Sequence, residues 1–163
     1  MDCYPKGGDP EADRVWVRGN KGFYDDSYFG ILIREDVEAE VLAILDGLPL
    51  PMKAYADSNT YCYDNFDGSK TYADFKQWQS ENEGWYLPSV TIAVPMDGTD
   101  ESEKEEYANQ IFEILVNDGF KGGIDVCFFP SEAFEKVTRR LSDFNELARQ
   151  CNEEYALFSK NLI

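Results

Sequence analysis

Several groups of side chains in this chain have types and spacings that could do chemistry. Glu81 and Glu83 sit beside Trp78, Trp85 and Tyr86. Two carboxylates among exposed aromatics is the composition of a sugar site, and a flanking pair of the right separation would hydrolyse a glycosidic bond. Asp57, Asp64 and Asp67 supply hard oxygen donors of the kind calcium or magnesium takes. Gly68-Ser-Lys-Thr71 has the outline of the end of a phosphate-binding loop. Asp97, Asp100, Glu101, Glu103, Glu105 and Glu106 fall within ten positions, offset only by Lys104.

Most of these fail on spacing. The Gly-Ser-Lys-Thr segment lacks the glycine that must stand four residues before a Gly-Lys pair, so nucleotide binding is not expected. An EF-hand register with Gly68 at position 6 puts Tyr63 where the first carboxylate belongs and Asp74 where a bidentate Glu belongs. A pair of acids in a chain with 32 of them is no evidence of a catalytic dyad. There is no histidine, which removes serine–histidine and cysteine–histidine catalysis and histidine-containing zinc sites. The four cysteines, Cys3, Cys62, Cys127 and Cys151, form no C-x-x-C pair. No catalytic residue, cofactor or bound metal is expected.

The balance of charge is more informative. The 163 residues carry 32 acids against 15 bases, a net charge of −17. Residues 54–118 hold 14 acids and 3 bases, so −11 of the total lies in 65 residues, whereas 119–163 are nearly balanced. Nine aromatics lie between Tyr55 and Tyr86 in the same region. Such a chain is repelled by nucleic acid and anionic membranes and drawn to basic surfaces, with Trp and Tyr as the anchors interfaces favour. The candidate partner-binding residues are Asp64, Asp67, Asp74, Trp78, Glu81, Glu83, Trp85, Asp97, Asp100, Glu101, Glu103, Glu105 and Glu106.

The elements that must position these residues follow from periodicity. Tyr28–Ile33 reads as a strand, and Asp36 as the cap of a helix over 36–46 whose apolar set is Val37, Val41, Leu42, Ile44 and Leu45. Residues 53–63 and 123–129 read as strands, and the β-branched run 89–95 as another. Thr71 with Asp74 forms a capping box opening a short helix through Phe75 and Trp78, and Ser102 with Glu105 suggests another over 102–117. Phe134, Val137, Leu141, Phe144, Ala148, Cys151, Tyr155 and Phe158 keep 3-4 spacing, which predicts one long helix over 131–160, lying across its own domain or forming a homodimer seam. Residues 1–14 read as an irregular arm and 64–88 as an acidic, aromatic insert.

The expectation is a single α+β domain over 1–163, a ferredoxin-like split βαβ sandwich of about four strands with an added C-terminal helix. Residues 1–22 show no apolar signal-peptide core and no stretch is apolar for membrane length, so a reducing, cytoplasmic setting is expected. In composition alone the chain resembles nucleic-acid mimics, a group that includes phage and plasmid anti-CRISPR and anti-restriction proteins, and also toxin immunity proteins. That resemblance implies a non-enzymatic inhibitor whose partner is a basic protein, a nucleic-acid-binding enzyme or a toxin. The alternatives are a small-molecule, glycan or calcium-binding module built on the insert, and a carboxylate-dependent hydrolase.

Overall fold

The computed structural model describes residues 2–10, 12–20, 23–57, 66–82, 88–141 and 156–162. The chain begins with a small antiparallel sheet of β1 (Asp2–Cys3), β2 (Val15–Asn20) and β3 (Phe23–Asp26), in that order. The arm before β2 is therefore not wholly irregular, because Asp2 and Cys3 pair with Trp16 and Val15. Polar contacts hold its turns. The Asp13 carboxylate accepts the Asp9 N–H and meets the Arg34 guanidinium, whose other nitrogen donates to the Ala12 carbonyl. Gly8 is required there, since a β-carbon would come within 2.6 Å of Asp13 Oδ2.

The segment expected as a first strand is helical. Helix α1 runs Tyr28–Ile44, and Asp36 lies exposed within it instead of capping it. Phe29, Ile33, Val37 and Val41 are all buried at four-residue spacing. The apolar stripe read from Val37 onward thus extends back two turns, and burial of that stripe outweighs the strand preference of the aromatic and β-branched residues at 28–33.

The main sheet has the order β4-β5-β6-β7, with β4 at Lys53–Asp57, β5 at Ser89–Pro95, β6 at Gly122–Phe129 and β7 at Ala156–Leu162. The β5–β6 pair is parallel and the two outer pairs are antiparallel. The α+β class holds. The strands lie in chain order, however, and do not interleave as a split βαβ sandwich requires. Helix α2 (Tyr72–Glu81) precedes β5, and α3 (Glu101–Asn117) makes the crossover a parallel pair needs. Ala54, Val90, Ile92, Val94, Ile124, Val126 and Phe128 bury one sheet face beneath α1 and α3, with Phe75 of α2 in the same core. On the other face Ala93, Cys127 and Phe129 pack beneath Phe134 and Val137. Burial on both faces is why the end of β6 reads as an unbroken apolar run.

The single helix expected over 131–160 is not formed. Helix α4 covers only Ser131–Lys136, a 3₁₀ turn follows at Arg139–Leu141, and residues 156–162 form β7. Val137 is extended and buried against the open sheet face. Around Phe158 the spacing becomes that of a strand: Phe158 packs on the core, Leu157 is exposed and Leu162 is buried. The expected seam positions Phe144, Ala148, Cys151 and Tyr155 lie outside the described residues. Among the described residues no helix is long and apolar enough to cross a membrane.

Candidate functional site

The run of acids after β5 divides into two kinds of carboxylate. Gly98, at φ +67°, turns the chain between β5 and α3. Asp97 beside it accepts the backbone N–H of Ser131 at 2.8 Å and also its hydroxyl, tying this loop to the first residue of α4. Asp100 is the N-cap of α3, accepting the Ser102 hydroxyl at 2.7 Å and the Glu103 N–H at 2.9 Å. The Ser131 and Ser102 hydroxyls, then the backbone donors, hold these two carboxyls below the usual aspartate value. Both aspartates therefore have work inside the chain. Glu101, Glu103, Glu105 and Glu106 do not. All four are exposed on the first two turns of α3 and meet no cation or hydrogen-bond donor among the described residues. Lys104 on the same turns and the positive end of the α3 dipole offset only part of their mutual repulsion.

A second group lies on α2. The capping box is formed as the sequence predicts: Thr71 Oγ1 accepts the Asp74 N–H, and Asp74 Oδ2 accepts the Thr71 N–H at 2.8 Å. Asp67 closes an Asx turn onto Ser69. Trp78 is half-buried, edge-on to Phe66 with centroids 5.6 Å apart and near-parallel to Phe75, which is wholly buried. Asp74, Trp78 and Glu81 share one helix face, at i, i+4 and i+7. With Phe66, Lys70 and Gln77 they line a shallow hollow of about 230 Å³. Lys70 and Gln77 were not singled out by composition; their positions four before Asp74 and one before Trp78 are the only signal that could have found them. Asp64, Glu83 and Trp85 lie outside the described residues.

The sheet separates the two groups. Gln79 of α2 is buried and donates to the Lys121 carbonyl at 3.4 Å, just before β6, whose start pairs with Ser89 at the start of β5. Helix α3 begins beyond the other end of β5. At about 3.3 Å per residue, the two ends of that strand stand about 20 Å apart. Among the described residues, the candidate acids and aromatics thus gather at two separate places, the glutamate-rich start of α3 and the aromatic-walled hollow of α2. Among the described residues no three acidic or cysteine side chains converge as a metal ion would require. No family model, curated protein or solved structure matches the chain.

Proposed function

We propose that the protein is a non-enzymatic inhibitor that presents the start of α3 to a basic surface of a partner protein. The observation that carries this is the set of four glutamates, Glu101, Glu103, Glu105 and Glu106, exposed together on two helical turns with Lys104 as the one base among them. Like charges gathered this closely destabilise the chain that bears them, and lysines or arginines of a partner relieve that cost. A groove built to bind nucleic acid supplies such bases, which makes a nucleic-acid-mimicking role in the cytoplasm, of the anti-CRISPR, anti-restriction or immunity type, the fitting one. The aspartates at 97 and 100 stiffen the surface by fixing the loop and the helix cap.

The test is salt-dependent capture. Immobilised protein should retain a basic protein from host extract at low salt and release it as salt rises. The Glu101→Lys, Glu103→Lys, Glu105→Lys, Glu106→Lys variant, folded by circular dichroism, should retain none. Equal capture by that variant would refute the proposal.

A further inference from the structure

The hollow on α2 has walls of one chemistry and a rim of another. Phe66 and Trp78 supply the aromatic wall, and Asp74 and Glu81 stand to either side of Trp78 along the helix. Asp74 is partly committed, because its Oδ2 accepts from the Thr71 backbone and hydroxyl. Lys70 also acts on it, and on Asp67. Glu81 is less engaged. Its Oε1 accepts from Gln77 Nε2 at 3.2 Å, and its Oε2 has no donor among the described residues. Seven helical positions span about 10.5 Å, so one ligand group resting on Trp78 reaches one of the two carboxylates and not both.

An anion is disfavoured between two carboxylates. A planar cation is not: a guanidinium stacks on an aromatic face and donates a fork of N–H groups to a carboxylate at once, which a compact ammonium cannot do. We propose that the Phe66–Trp78–Glu81 hollow takes an arginine side chain of the basic partner, its guanidinium stacked on the aromatic wall and hydrogen-bonded to Glu81. This rests on the partner-binding role above, but it concerns the other end of the sheet and is tested separately.

The probe is N-acetyl-L-arginine methylamide, titrated into the full-length protein while the Trp78 indole N–H is followed by NMR. A single cation–π and ion-pair contact predicts saturation with a dissociation constant on the order of millimolar. The exposed substitution Glu81→Gln should weaken binding about tenfold. Lys70→Gln, which removes a like charge from the rim, should strengthen it about two- to fivefold. The norleucine analogue and methyl β-glucoside should leave the resonance in place. A saturable shift with the glucoside, no saturation with arginine, or no effect of Glu81→Gln would overturn the proposal. The α3 lysine variant should still bind the probe. Loss of partner capture by that variant with no arginine binding at α2 refutes the hollow alone; arginine binding with partner capture intact refutes the role assigned to α3.

Discussion

Glu38 holds the guanidinium of Arg139, 101 positions away, through two hydrogen bonds of 2.6 and 2.7 Å. The same carboxylate accepts the Ala56 N–H at 2.8 Å. Ala56 lies on β4, an edge strand whose outward N–H groups would otherwise be open to pairing. One acid on α1 thus satisfies a donor of the sheet edge at Ala56 and fastens the turn that follows α4. Glu38 retains only 12% of its side-chain exposure and Arg139 25%, so losing one partner leaves a poorly solvated charge. Arg139→Ala should cost about 2–3 kcal/mol in urea unfolding. The Glu38→Gln/Arg139→Ala double variant should cost clearly less than the two single losses summed, because the pair acts as a unit.

Lys53 anchors the preceding helix. Its ammonium donates to the carbonyls of Phe134, Glu135 and Val137 and lies 4.6 Å from the Phe134 ring centre. At this C-terminus the Phe134 carbonyl also accepts the Val137 N–H and the Val137 carbonyl the Tyr55 hydroxyl, so Lys53 adds a shared cationic donor to all three. Lys53→Met should release them, with a loss of about 1–2 kcal/mol. Amide exchange over 133–137 should accelerate while that of β5 and β6 changes little.

Phe75 carries the aromatic packing beneath the α2 hollow. It is fully buried and lies near Phe29, Phe66 and Trp78. Phe75→Ala should cost about 3–5 kcal/mol by calorimetry, whereas Glu81→Gln on the exposed face of the same helix should stay within about 0.5 kcal/mol.

Asp97 and Asp100 contribute to the acid limb of stability, with Asp13, Asp67 and Asp74. Their carboxyls are held below the usual 3.8 by hydrogen bonds present only in the folded chain. Their contribution is therefore complete above the unfolded value and disappears as pH falls through the lower folded values. The melting temperature of Asp97→Asn should lie below that of the parent by a constant amount above about pH 5. The gap should close as both are acidified further, and a gap that widened on acidification would contradict the assignment.

The elements legible in the sequence were those whose local signals agreed with their packing. The Thr71–Asp74 box and the β-branched strand at 89–95 stand where cap and periodicity put them; the helix over 101–117 stands where its apolar stripe does, but its N-cap is Asp100 and not the expected Ser102. The two misread segments are those where local preference and packing disagree. Tyr28–Ile33 has strand-forming residues but supplies buried turns of α1. Phe134 to Phe158 keeps helical spacing, yet Val137 and Phe158 serve opposite faces of one sheet. Of the site, the residue types were readable and their grouping was not. Nothing in the order of residues reveals that β5 carries Asp100 to one end of the sheet and leaves Trp78 near the other.

The start of α3 is the centre of the account, and association kinetics test it most directly. The Glu101→Lys, Glu103→Lys, Glu105→Lys, Glu106→Lys variant should bind the captured basic partner with an association rate at least tenfold lower at low salt. The difference should shrink toward none as ionic strength approaches about 0.5 M, where charges more than a few ångströms apart are screened. An unchanged association rate at low salt would mean that these glutamates only solubilise the chain.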